Sequence, residues 1–145
     1  MPGILATIVI GIIGGISVGL QGAIAGSMSR RVGGTAGSFI IHVSGAFLSG
    51  ALLLARGGEQ IANWRTLPWY MLGAGAFGVI LYITLAQTMP RLGATGALTL
   101  IIIGQLTTGI LIDHFGLFDV AARPVDALRI FAALLLLAGG YLILR

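Results

Sequence analysis

Long apolar runs alternate with short polar connections along this chain, and the runs repeat at nearly one length. They cover roughly residues 4–26, 36–55, 68–88, 93–112 and 126–144. Each is close to the ~20 residues that an α-helix needs to cross a bilayer core. The pattern predicts an all-α membrane protein with five transmembrane helices, forming a single transmembrane domain over residues 1–145. The connections are short, so neighbouring helices are expected to run antiparallel and pack together. Trp64, Trp69 and Tyr70 gather at the start of the third run, as aromatic residues do where a helix enters a membrane. Pro68 is expected in the first turn of that helix, where a missing N–H costs nothing. Pro90, Arg91 and Gly93 are expected to break the chain between the third and fourth spans. Ala23-Ile24-Ala25 imitates a signal-peptide cleavage site, but no Lys or Arg precedes the first run, and the run is long for a signal core. The first span is therefore expected to be retained.

Composition removes the soluble alternative. Only 8% of residues are charged, 57% are hydrophobic and the mean hydropathy is +1.06. Soluble domains carry about 25% charged residues, and a chain with so few could not cover its own surface, so its solvent is lipid. A sequence pI of about 10.8 raises the question of nucleic acid. The arginines stand singly or in pairs between apolar runs and make no basic stripe, so no nucleic-acid partner is expected. Cysteine is absent, which excludes disulfides and thiolate metal sites.

Charge changes the picture in one respect. The eight basic residues are all arginine. With five crossings, Arg56, Arg65, Arg123 and Arg129 fall on one side, and Arg30, Arg31, Arg91 and Arg145 on the other. Orientation in a membrane is normally set by an excess of Lys/Arg in cytoplasmic loops. Here there is no excess. We read this as a chain that inserts both ways up and pairs with its own inverted copy, an antiparallel homodimer of ten helices held among membrane lipids.

Polar groups inside lipid are costly and therefore informative. Gln21, His42, Gln87 and Gln105 fall within the spans, with Asp113 and His114 at the end of the fourth. Ser17, Ser38, Ser44, Ser49, Thr84 and Thr99 are weaker candidates, because a hydroxyl can bond a carbonyl of its own helix. Ser38, His42, Gly45 and Ser49 share one face of the second span; Gln105, Gly109 and Asp113 share one of the fourth. Gln21, His42 and Gln87 lie toward the same side and are expected to converge in one layer. His42 reads either as structural glue between helices or as a proton carrier, since histidine changes charge near neutral pH. Asp113 reads as an interfacial carboxylate or a second coupling candidate. Gln21 and Gln105 read as interhelical bonds or as substrate contacts, with Tyr82 as an aromatic wall.

Gly11, Gly15, Gly19, Gly22 and Gly26 mark one face of the first span. Small faces let helix backbones approach closely where lipid removes the hydrophobic drive. The stripe serves plain packing or, beyond that, lines a cavity against which the helix slides. Enzyme signatures such as HExxH, a Gly-rich phosphate loop and a GxSxG elbow are absent. His42 and His114 have no carboxylate pair beside them, so neither a metal site nor a cofactor is expected.

The segments Gly19-Leu20-Gln21-Gly22-Ala23, Phe39 to Gly45, Gly104-Gln105-Leu106 and Ile112-Asp113-His114-Phe115-Gly116 resemble the YdcZ-like family. This is a five-span bacterial group within the drug/metabolite transporter superfamily. The resemblance covers essentially the whole chain and is most specific from Gln105 to Gly116. An asparagine usual soon after the glutamine of the first span is missing; Ala25 and Gly26 occupy that region. The resemblance implies a bacterial inner (cytoplasmic) membrane protein whose copies pair upside-down into a transporter-like unit. Such inverted repeats place a binding site at the midplane and open it alternately to each side. The small multidrug exporters, distant relatives, carry a glutamate in their first helix; the single glutamate here is Glu59, in a loop.

The expected function is thus a secondary transporter for a small organic solute, not an enzyme. Gln21, His42, Gln105 and Tyr82 are the expected substrate contacts, and His42 and Asp113 the coupling candidates. A dual-topology ion channel and a non-transporting, lipid-binding subunit are the alternatives.

Overall fold

The computed structural model describes residues 3–145, with no β-strand among them. Helix α1 (Ile4–Val32) runs for 29 residues. At 1.5 Å per residue it is about 44 Å long, more than the ~30 Å hydrocarbon core. Its last turn carries Arg30 and Arg31, where positive charge suits both the helix dipole and the headgroups. The span expected to end near residue 26 thus continues to the arginines, because nothing before Gly33 breaks it. Gly33 adopts φ 87°, ψ 157°, donates its N–H to the Ser29 carbonyl at 2.9 Å, and at once precedes α2 (Gly34–Ala55). A positive φ of this kind is open to glycine at little steric cost.

Helix α2 ends at Arg56, followed by Gly57 and Gly58 at φ 72° and 82°. The Gly58 N–H caps the Leu53 carbonyl at 2.8 Å. A 3-10 turn over Ile61–Thr66 leads to the short helix α3 (Trp69–Leu72). Pro68 precedes α3 as its N-cap residue rather than lying in its first turn. Trp69 and Tyr70 meet edge to face at 6.3 Å, and the Arg65 guanidinium lies 5.6 Å from the Trp64 ring centre.

The third expected span is divided at Gly73, and α4 (Gly75–Phe115) begins two residues later. Glycine is among the weakest helix formers, and two of them stand here within three positions. Taken together, Trp69–Phe115 is a run of 47 residues, about 70 Å if straight and enough for two crossings. Of Pro90, Arg91 and Gly93, expected together to break the chain, Gly93 is the non-helical point in the run, at φ 71°, ψ 174°. Proline removes one N–H but keeps a helical φ; it is the left-handed glycine that interrupts the backbone. Helix α5 (Ala127–Leu144) starts where the Asp126 carboxylate accepts the Arg129 N–H at 2.8 Å, a side-chain N-cap.

Two compact units result, Met1–Pro90 and Arg91–Arg145. In the first, α1, α2 and the early turns of α4 enclose a small core. Ala25, Ser38, Tyr82, Leu85 and Met89 are buried there. Tyr82, Leu85 and Met89 recur at i, i+3 and i+7, one helix face. That face meets small residues: a Cβ added at Gly26 would lie 2.9 Å from the Met89 Cβ, and one at Gly22 would lie 3.0 Å from the Met89 methyl. The C-terminal half of the glycine stripe is thus a packing surface. Its N-terminal half is open, with nothing within 4 Å of a Cβ at Gly11 or Gly15. Ile8, Ile12, Ile16, Leu20 and Ile24 all stay exposed, as they can where the solvent is hydrocarbon.

The second unit is a helical hairpin. Gly140 admits Ile103 and Thr99, and Gly96 admits Leu144. The turn between its helices is tied back at several points. Gly116 ends α4 in the left-handed conformation (φ 62°). The Arg123 N–H donates to the Asp113 carbonyl at 2.6 Å, and the Val125 N–H to His114 Nδ1 at 3.2 Å.

Candidate functional site

The first unit brings three of the four expected substrate contacts together. Gln21 from α1, His42 from α2 and Tyr82 from α4 line one cleft of about 70 Å³, with Ala25, Ile41, Gly78, Leu81 and Leu85. Their depth follows from helix geometry. Gln21 lies 11 residues before the end of α1, His42 eight after the start of α2, and Tyr82 ten before Leu92, each on the order of 12–17 Å from those neighbouring ends.

His42 is the best defined of the three. Its Nδ1 lies 2.7 Å from the Ser38 carbonyl oxygen, one turn back on the same helix. A carbonyl only accepts, so Nδ1 carries the proton. The Ser38 hydroxyl oxygen, 3.3 Å from the same nitrogen, is close enough to share it. The other nitrogen, Nε2, is then an acceptor in the neutral ring. It faces Gly78, where an added Cβ would come within 2.8 Å of it. Among the described residues nothing hydrogen-bonds to Nε2. One edge of the imidazole is therefore fixed by its own helix, and the other is turned onto the Gly78 main chain in the wall of the cleft.

Tyr82 holds the cleft together from the opposite side. It is buried, and its hydroxyl donates to the Ala25 carbonyl at 3.2 Å, joining α4 to α1. Gly37 is what admits that hydroxyl, because a Cβ at residue 37 would collide with it. The tyrosine expected as an aromatic wall is thus also a polar tether between helices. Gln21 lies at the rim, exposed although it lines the cleft.

Gln87, expected in the same layer, is exposed and does not line the cleft. Five residues beyond Tyr82, it points about 140° away around the helix. Ser44, Ser49, Ser17 and Thr107 each donate to a carbonyl of their own helix at 2.8–2.9 Å. They are spent locally, so the polar stripe of α2 narrows to Ser38 and His42.

In the second unit the expected stripe of Gln105, Gly109 and Asp113 divides. Gly109 and Asp113 line an apolar groove of about 430 Å³ with Arg129, Thr107 and the aliphatic side chains of both helices. Gln105 is exposed beside it and does not line it. Asp113 is held at 3.4 Å by the Arg129 guanidinium, which also donates to the Arg123 carbonyl at 3.3 Å. His114 accepts from Val125 and meets Phe115 edge to face at 4.7 Å. These charged and polar groups organise the turn at the end of the hairpin. No group of three His, Cys, Asp or Glu residues that could hold a metal ion occurs among the described residues.

Comparison with known proteins adds one finding. The family model described as "Putative inner membrane exporter, YdcZ" matches residues 6–142. No curated protein and no solved structure matches the chain.

Proposed function

Since the chain belongs to the YdcZ family of inner membrane exporters, we propose that it is a secondary transporter that moves a small organic solute by alternating access, as an antiparallel homodimer. The observation that carries this reading is His42, well inside a membrane-spanning helix, with Nδ1 anchored to Ser38 and its ring lining a cleft shared with Gln21 and Tyr82. Ionisable groups at such depth in a membrane protein mark substrate and ion pathways. Gln21 and His42 contact the solute, Tyr82 walls and braces the cleft, and His42 carries the coupling proton. Gln105, exposed in the second unit, is a further hydrogen-bonding group for the solute. Asp113, engaged by Arg129, serves the turn of the hairpin.

Two features support the inverted pair. The arginines divide evenly between the two sides, and small-residue positions at Gly11, Gly14, Gly15, Gly45, Gly104 and Gly109 have open space in front of them. Such positions let helices of a second copy approach closely. Two inverted copies supply the symmetry that alternating access uses.

Because the chain lacks cysteine, a single cysteine added at the C-terminus reports orientation cleanly. Labelling by an impermeant maleimide from both membrane faces is the expected result, and labelling from one face only rejects dual insertion. In liposomes the purified protein should give saturable solute exchange whose pH dependence is lost in His42→Ala. Unsaturable, very fast ion flux would instead identify a channel, and an unchanged pH profile in His42→Ala would remove the proton role.

A further inference from the structure

The hairpin of the second unit encloses a groove of its own, about 430 Å³ in volume. Aliphatic side chains of α4 and α5 wall it, and Asp113 and Arg129 stand at one end. The other end is shut where Gly140 lets the helices touch, since a Cβ there would lie 2.6 Å from Ile103 Cδ1. Between the two ends Gly109, Ala132 and Ala133 supply little side chain, and nothing lies within 4 Å of a Cβ added at Gly109. Ile103 and Asp113 are ten residues apart, about 15 Å along the helix and half of the ~30 Å hydrocarbon core. The groove is thus one leaflet deep, apolar along its length, with a guanidinium where the headgroups begin. Spread over that length, its volume makes a channel narrower than the about 10–12 Å of a helix with its side chains. A helix of a second copy would lie across the rim and leave the floor without contacts, whereas a single hydrocarbon chain reaches it. The guanidinium end is only partly spent. Arg129 Nη1 donates to Asp113 and to the Arg123 carbonyl, while Nη2 and Nε donate to nothing among the described residues. Guanidinium donors of this kind match the oxygens of a phosphate in pairs. The turn carries Asp113, Asp119 and Asp126 against Arg123 and Arg129. This mixture of signs suits a headgroup with both a phosphate and an ammonium better than one of net negative charge.

We infer that the hairpin binds one phospholipid of the phosphatidylethanolamine type. One acyl chain lies in the groove, the phosphodiester accepts hydrogen bonds from Arg129 Nη2 and Nε, and the ammonium faces the carboxylates of the turn. The Asp113–Arg129 pair stays intact, because it uses Nη1 alone. The lipid fills the space that the small residues leave between α4 and α5, and by binding the folded chain it stabilises the hairpin through mass action. The site needs hydrocarbon as solvent and nothing from the transporter reading, so it stands or falls separately from it.

The test titrates the delipidated full chain, in a mild detergent, with dioleoylphosphatidylethanolamine and counts bound lipid by native mass spectrometry. One tightly held lipid per chain is expected, with a matching rise in unfolding temperature. Dioleoylglycerol, which lacks the phosphate, should bind about tenfold or more weakly, as loss of a charge-assisted hydrogen bond implies. Dioleoylphosphatidylglycerol, with its net negative charge, should also bind more weakly. Inorganic phosphate alone should not raise the unfolding temperature. Arg129→Gln should lower dioleoylphosphatidylethanolamine to the level of dioleoylglycerol, while Asp113→Asn, which keeps the guanidinium, should retain the lipid. Gly109→Leu extends a side chain into open groove and replaces a weak helix former with a strong one. It should displace the lipid from a folded chain, and it keeps the assignment testable if Arg129→Gln does not fold. Equal retention of dioleoylglycerol, or a phosphate effect as large as that of the lipid, overturns the phospholipid assignment. Retention unchanged in Gly109→Leu overturns the groove as its seat. If that variant keeps the lipid and loses the dimer, the groove belongs to a second copy, and the inference falls while the inverted pair stands.

Discussion

The two units of this chain treat polar groups in opposite ways. The first, besides the charges at its helix ends and in its loop, holds a small bonded cluster within its spans. Ser38, His42 and Tyr82 lie within spans, and each is bonded to a main-chain carbonyl or to the side chain so bonded. The second fastens the closed end of its hairpin with Asp113, Arg129 and Asp126, and the groove behind that turn is lined mostly by aliphatic side chains. Cost explains the division. A charge at a helix end reaches water and headgroups, whereas a group at mid-span must be satisfied by protein. An ionisable side chain at depth, such as His42, therefore stands out as a candidate for function. An ion pair at a rim does not stand out in this way.

If the first unit is closed by its small residues, the largest effects follow from enlarging them. Gly37→Ala puts a methyl where the Tyr82 hydroxyl lies. Overpacking of this kind costs roughly 1–3 kcal/mol, and should appear as lowered resistance to unfolding in mixed micelles. Adding Tyr82→Phe removes the colliding oxygen. The nearest ring atom is then 3.0 Å from the new methyl, so the double variant should recover part of the loss. The two changes should be visibly non-additive, as contacting residues are. Additive losses would mean that Gly37 and Tyr82 do not meet. Gly15→Ala, facing open space, is the matched control and should leave the stability of the single chain within about 0.5 kcal/mol.

The second unit should respond more mildly. Asp113 and Arg129 keep about a third of their side-chain surface exposed (35% and 33%), so their ion pair is worth about 0–1 kcal/mol. Asp113→Asn should leave transport and its pH profile unchanged and speed amide exchange in the turn over residues 116–126. Loss of coupling in Asp113→Asn with the turn still protected would move the proton site from the first unit to the second, and would reverse the contrast between them.

How much of this was legible in the chain follows from the same physics. The all-helical character and the presence of helices apolar enough to span a membrane came from hydropathy, which did not show that α1 continues to Val32 or that the third run is divided at Gly73; His42 stood out because an ionisable residue in such a run is rare. The family resemblance, carried by segments such as Gln105 to Gly116, agrees with the family model over residues 6–142. Rotation about each helix axis was harder to read. In a soluble helix the apolar face is the inner face; in lipid both faces are apolar, so pattern does not say which side of α4 meets α1. Gln87 was expected inward because it is polar and lies toward the same side as Gln21 and His42, while Tyr82 and Leu85 occupy the inner face. A better signal was available: the 4, 3, 4 spacing of Gly78, Tyr82, Leu85 and Met89, with glycines Gly22 and Gly26 opposite. The Tyr82 bond to Ala25 had no sequence signal, since its acceptor is main chain. Within the expected break of Pro90, Arg91 and Gly93, the glycine could have been singled out, because a helix interruption needs a backbone angle that proline lacks and glycine has.

The smallest expected effect tests the finest point, which is what fixes the histidine. Two oxygens of Ser38 approach His42 Nδ1, the carbonyl at 2.7 Å and the hydroxyl at 3.3 Å. The shorter contact is the stronger bond, and it belongs to the main chain, which no substitution at residue 38 removes. Ser38→Ala should therefore keep the Nδ1–H tautomer, read from the imidazole ¹⁵N shifts, and keep the pH profile of transport. Its cost should be about 0.6 kcal/mol, the average for side-chain hydrogen bonds measured within a membrane protein. A tautomer change in Ser38→Ala would show that the hydroxyl, not the carbonyl, orients the ring. The tautomer would then no longer be fixed by the main chain, and the distinction between a prepared site in the first unit and a fastened turn in the second would lose its sharpest element.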